Sequence, residues 1–267
     1  MTPYFEAPKG MELLRRLPPV LRGRDFRLYL DGGQRLTDLW QLGGRAILGH
    51  KPPGLLRELK NAAERGLFAP LPHPMEKRFF KALARLFPQS QFSFRLYGSM
   101  ASLEAALEKA GFPGDGQTWR PFLEEASNKS KAPLFVPVLP WVFSPAALVL
   151  EKSLEDRFPP GDLLSPVILG PATRSIYELI AAGKDGGRPP YPRIKKALSG
   201  AGCKWRAQGI YLFPSPQLQE NWKQVWEYFL EEGFLLPPSP DEPLILPWRI
   251  PNILSQGEET KLANLIA

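Results

Sequence analysis

The stretch Phe92-Ser93-Phe94-Arg95-Leu96-Tyr97-Gly98-Ser99-Met100-Ala101-Ser102-Leu103-Glu104-Ala105-Ala106-Leu107 sets the fold class of this chain. Its first six residues alternate around Phe92, Phe94 and Leu96, the period of a strand with one face buried. Gly98 ends that period, Ser99 is a helix-capping residue, and a helix from Leu103 to Ala110 follows. A strand, a tight glycine turn and a helix start favour an anion, because the amides of the first helical turn are unpaired and the helix dipole is positive there. An ordinary turn with Ser99 as cap fits the same residues, and one glycine does not separate the two readings.

Moving outward, Pro74 to Phe87 places Met75, Phe79, Leu83 and Leu86 on one helical stripe. Pro52-Pro53 opens an earlier helix through Leu55, Leu56, Leu59 and Ala63, with Gly66 at its C-terminal end. Before it, Phe26 to Leu30 and Arg35 to Trp40 flank Asp31-Gly32-Gly33, a hairpin, and Met11 to Leu17 is a short helix stopped by Pro18-Pro19. Beyond the decisive stretch, Gly111 to Lys131 is polar and turn-rich. Pro133 to Val142 and Ala146 to Leu150 are short, continuously apolar runs, which suit buried strands of a mainly parallel sheet. Leu163 to Leu169 reads as a strand or a helix entry, and Thr173 to Ala182 as a short helix. Lys184 to Pro190 is the strongest linker in the sequence. After it come a helix at Arg193 to Leu198, an extended run at Cys203 to Phe213 and an amphipathic helix at Leu218 to Glu232. Strand-like pieces at Phe234, Leu244 and Trp248 lead to a last helix from Ser255, where Glu258 completes a capping box.

The composition narrows the function. With 43% apolar and 11% aromatic residues, the 267-residue chain can bury a real core, which excludes disorder for most of it. Thirty-one prolines, spread through every segment, exclude long uninterrupted helices. The single Cys203 and the two histidines, His50 and His73, form no metal-ligand spacing, so no metal site is expected. A net charge of +7 permits an anionic ligand, but the basic residues are scattered without a run of five, which disfavours nucleic acid. The segment Met1 to Met11 lacks the pattern of a targeting signal and no apolar run approaches the ~20 residues that span a bilayer, so a cytoplasmic protein without membrane association is expected. No nucleophile motif or paired-carboxylate motif stands out.

The order of these features resembles the fold type I pyridoxal-phosphate enzymes, and among them the aminotransferases. Tyr29-Leu30-Asp31-Gly32 through Arg35 to Asp38-Leu39 matches that family's N-terminal hairpin, and Leu48-Gly49-His50-Lys51-Pro52-Pro53 its following turn. Gly98-Ser99-Met100-Ala101 stands where the family binds the cofactor phosphate, with Glu104-Ala105-Ala106-Leu107 in the helix behind it. Gly233 to Pro238 and Pro243 to Ile250 look like the C-terminal lobe, where Arg249 is the candidate for holding a substrate carboxylate. The resemblance implies an α/β fold: an N-terminal arm and hairpin at 1–47 packing on the small lobe, a reduced large domain with a mainly parallel sheet at 48–183, and an α+β lobe at 188–267. It also implies a homodimer.

Family members are usually much longer, and the deficit falls in the large domain. That region supplies the family's aspartate on the pyridine nitrogen and its Schiff-base lysine, the electron sink and the covalent anchor. No Asp-Glu pair appears between Pro133 and Leu150, and Lys152 is the one lysine next to an apolar strand. Glu151, Glu155 and Asp156 around it would hold its amine charged, against imine formation. The resemblance therefore implies a shortened homologue without transaminase activity, a binding or interaction protein in which pyridoxal phosphate is either kept or lost. The alternative is an active aminotransferase acting on an amino acid or amine, with Lys152 or another lysine as its catalytic lysine and Arg249 on the substrate carboxylate.

Overall fold

The computed structural model describes residues 10–114, 116–123, 132–183, 190–248 and 253–267. They divide into two compact units, one drawn from residues 52–121 and 125–181, the other from 7–51, 122–124 and 182–267.

The second unit begins with α1 (Met11–Leu14), then β1 (Val20–Arg24), β2 (Arg27–Leu30) and β3 (Arg35–Asp38), joined as an antiparallel meander. The turn between β2 and β3 holds Gly32 at φ 80° and Gly33 at φ 83°. A Cβ at either would meet nothing within 4 Å, so the left-handed backbone and not crowding calls for glycine. Strand β1 is absent from the sequence reading because Val20, Leu21, Arg22 and Arg24 are all exposed: an edge strand without a buried face leaves no alternation to read.

The first unit holds α2 (Pro53–Glu64), α3 (Pro74–Leu86), β4 (Phe92–Tyr97), α4 (Met100–Lys109), β5 (Thr118–Trp119), β6 (Leu134–Pro137), β7 (Ala146–Glu151) and α5 (Pro166–Ala182). Its sheet runs β4-β7-β6-β5. Side chains alternate between two covered faces. Tyr97, Leu134, Val136, Leu148 and Leu150 pack with Leu103, Ala106 and Leu107 of α4. On the other face Phe135 meets Phe87 at 5.1 Å and Phe92 at 5.6 Å between ring centroids, with Trp119 edge-on to Phe87 at 5.0 Å. Burial on both faces explains the continuous apolar runs of β6 and β7.

The expectation of a mainly parallel sheet is corrected here. β4 pairs with β7 and β6 with β7 antiparallel, and only β5 with β6 is parallel. The connection 138–145 is too short for the crossover of about a dozen residues that a parallel neighbour requires. Two-sided burial makes either strand direction read the same. Helix α5 also runs through Pro171, where a strand or helix entry followed by a separate short helix was expected. Proline removes one amide there, and Thr173 Oγ1 donates to Leu169 O at 2.6 Å within the same turns.

The second unit continues with α6 (Pro192–Leu198), β8 (Trp205–Gln208), β9 (Tyr211–Pro214), α7 (Pro216–Glu220), α8 (Trp222–Glu231), β10 (Phe234–Leu235), β11 (Leu244–Ile245) and α9 (Gln256–Ile266). β10 joins β3 in parallel, and β11 and β8 flank β9 antiparallel. Trp222, Trp226 and Phe229 bury one face of α8, and the indoles of Trp222 and Trp226 donate to Pro237 O at 3.0 Å and Leu236 O at 3.1 Å. Ser255 and Glu258 form the capping box of α9. Glu258 also receives the guanidinium of Arg27 on both its oxygens, which holds its carboxyl down at about 2.

Candidate functional site

At the end of β4 the chain turns through Gly98 into Ser99, the N-cap of α4. Ser99 is extended (φ −148°, ψ 165°), and its Oγ accepts the Ser102 amide at 3.0 Å and lies 3.0 Å from Ser102 Oγ. At 6% exposure this hydroxyl faces its own helix. Met100 is half-buried and Ala101 exposed. The structure thus brings Gly98, Ser99, Met100 and Ala101 together at a helix start, as the sequence suggests.

One partner was not legible in the sequence. The Gly98 amide donates to Asp162 Oδ2 at 2.8 Å, and the Asp162 amide donates to Leu96 O at 2.7 Å. β4 is the edge strand of its sheet, and Leu96 O and Gly98 N are the two groups a further strand would bind. Asp162 answers both, one with its backbone and one with its carboxylate. Gly161 makes this possible: a Cβ there would lie 2.6 Å from Leu96 O and 3.0 Å from Leu96 N. Beside this contact a groove of about 480 Å³ is lined by Phe80, Phe94 and Arg95 together with the carboxylates of Glu76, Glu155, Asp156 and Asp162. Arg95 is already paired with Glu155 at 2.8 Å, so the groove offers an anion more repulsion than attraction.

Lys152 stands elsewhere. It follows β7 where Glu151 pairs with Phe92, and its amide donates to Gln91 O, whereas Gly98 follows Tyr97 at the Ala146 end. Six residues of strand separate the two, about 20 Å at ~3.4 Å per residue. Its side chain is exposed. The sheet end next to Gly98 is formed by the connection 138–145, Val-Leu-Pro-Trp-Val-Phe-Ser-Pro, which holds no titratable side chain. Lys60, Lys77, Lys81 and Lys109, the other described lysines of this unit, are exposed on helices. Arg249, Lys129 and Lys131 lie outside the described residues, as does most of the linker from Lys184. Among the described residues no group of three His, Cys, Asp or Glu could hold a metal, and no helix is long and apolar enough to cross a membrane.

The hairpin and turn motifs of the second unit meet in a buried ion pair. Asp38, 1% exposed, accepts the Trp40 and Gln41 amides on Oδ1, both at 2.9 Å, and its Oδ2 lies 2.8 Å from His50 Nε2. Gly49 (φ 92°) carries the turn, and the His50 amide donates to Asp25 O at 2.7 Å. Burial works against the charged imidazole, but the hydrogen bond and charge of Asp38 outweigh it and raise the His50 pKa above 6.5. A raised folded pKa means stability that is complete below about 6.5 and is lost as the pH climbs through the folded value. Melting temperatures of the wild type are therefore expected to fall with rising pH in that window relative to His50→Gln; parallel curves for the two would contradict the pairing.

No family model matches the chain. An uncharacterised protein of Treponema pallidum (strain Nichols) is 27% identical over 88% of this chain and 91% of its own length. An uncharacterised protein of Borreliella burgdorferi is 35% identical over 88 residues, 32% of this chain. Among solved structures, the ornithine δ-aminotransferase of Plasmodium falciparum superposes with a TM-score of 0.66 at 14% identity, covering 94% of this chain and 91% of that one. The N-acetylornithine aminotransferase of Stenotrophomonas maltophilia K279a gives 0.63 at 13% identity, covering 94% and 96%. An ω-transaminase from Sphaerobacter thermophilus gives 0.63 at 12% identity, covering 97% and 96%. The chain thus has the α/β fold of the fold type I aminotransferases.

Proposed function

We propose that this chain is an aminotransferase relative that has given up transamination and serves as a binding or interaction protein. The observation that carries this is the sheet end beside Gly98: its connection 138–145 has no lysine, and Lys152 is about 20 Å away at the other end of β4. Pyridoxal phosphate, when bound to an enzyme, supplies an electron sink that needs a lysine anchor and a carboxylate on its ring nitrogen. The described residues around Gly98 offer no lysine, and the Asp162 carboxylate there is spent on the Gly98 amide, so they do not fit the group. Amino-group transfer from a panel of amino acids to 2-oxo acids, with pyridoxal phosphate added, tests the reading. The expected result is a colourless protein without turnover and without a borohydride-stable adduct. Turnover lost in Lys152→Ala would establish the active aminotransferase instead.

The interaction partner in this reading is a second copy of the chain. Phe68, Leu71 and Leu163 are exposed large apolar residues of the first unit. Ser165 Oγ and the Val167 amide both donate to Leu67 O, so the segment that carries Phe68 and the one that carries Leu163 run side by side. Light scattering at micromolar concentration is expected to give twice the chain mass, falling to one chain in Phe68→Glu with Leu71→Glu. A monomeric wild type would end the dimer proposal.

A further inference from the structure

We infer that Asp162 closes the turn into α4 by holding the Gly98 amide with its carboxylate, so that this chain does not take the phosphate of pyridoxal phosphate at Gly98 to Ala101. The inference rests on the reading of the fold above and names the group that holds this amide.

The contact is built into the backbone. Asp162 is fixed at two points on the edge of β4, through its amide on Leu96 O at 2.7 Å and through Oδ2 on the Gly98 amide at 2.8 Å. Pro159 and Pro160 restrict the approach to this position, and only glycine fits at 161. On its far side the loop is tied down by buried Leu164 and by Ser165, whose hydroxyl donates to Leu67 O at 2.9 Å. The carboxylate therefore does not need to be recruited; the chain delivers it.

An incoming phosphate would lose on three counts. It would have to displace a charged acceptor from the Gly98 amide. It would sit within a few ångströms of the Asp162 carboxylate, a like charge that weakens its binding by about tenfold or more. It would find the Ser99 hydroxyl turned towards Ser102. The adjoining groove, with Glu76, Glu155 and Asp156, adds to the repulsion.

The Gly98 amide itself is the reporter. In ¹⁵N-labelled protein titrated with inorganic phosphate, its resonance and that of Ser99 are expected to stay in place for the wild type. In Asp162→Ala they are expected to move saturably, with at least about tenfold tighter binding. Asp162→Asn keeps an acceptor for the amide but removes the charge, so it is expected to bind more weakly than Asp162→Ala and more tightly than the wild type. It also serves if the alanine variant does not fold. A wild-type resonance that moves as far as the variants', or folded variants that show no saturable shift, would overturn the inference. The same samples receive pyridoxal phosphate and borohydride. A covalent adduct in the wild type would defeat the loss of transamination, whereas failure of the phosphate titration alone would remove only the role of Asp162.

Discussion

Trp226→Ala is expected to destabilise the chain by about 3–5 kcal/mol, the range for deleting a fully buried aromatic side chain. Trp226 is 1% exposed, among the largest buried side chains, and its indole is hydrogen-bonded to Leu236 O at 3.1 Å. Alanine removes the ring, leaves a cavity, and strands the Leu236 carbonyl next to β10. The loss adds up from several sources because α8 packs directly on β10, which pairs in parallel with β3 of the N-terminal hairpin. Urea denaturation followed by circular dichroism reads the effect, and a loss below about 1 kcal/mol would show that the site collapses around the smaller side chain. Trp226→Phe fills most of the space but not the hydrogen bond, so it should recover the larger part.

Local features of this fold were legible and long-range ones were not. Asp31-Gly32-Gly33 marked the hairpin because two residues with positive φ leave few alternatives to glycine. Ser255 and Glu258 marked the start of α9 because a capping box is a contact between residues three apart. Gly66, at φ 67°, ended α2 for the same kind of local reason. The direction of β7 could not be read, since its residues Ala146 to Leu150 are buried on both faces in either orientation. The two-residue strand β5 is too short to show any period, and it lay in what read as a polar connection. At the candidate site, the turn from β4 through Gly98 to Ser99 was visible, but its partner Asp162 is 64 residues away. Its only trace was Pro159-Pro160-Gly161, a turn signal whose glycine is required by the backbone of Leu96. Lys152 stands out in the sequence by its place next to an apolar strand, and the antiparallel register of β7 carries it to the end of the sheet opposite Gly98.

Asp38→Ala is expected to cost about 3 kcal/mol or more, although no packing volume of note is lost. The Asp38 carboxylate satisfies the Trp40 and Gln41 amides and faces His50 Nε2. Gln41 is fully buried and Trp40 nearly so, which leaves two orphaned amides with little access to water at about 1–3 kcal/mol each. Asp38→Asn separates the two parts of this cost. Its amide oxygen still accepts the backbone amides, so most of the stability should return, but it carries no charge to hold His50 protonated. The fall in melting temperature above pH 6.5 is therefore expected to vanish in Asp38→Asn as it does in His50→Gln, and the double variant should show no further flattening. If Asp38→Asn keeps the wild-type pH dependence, the raised pKa of His50 has another source, and the pair joins the hairpin to the Gly49 turn by geometry alone.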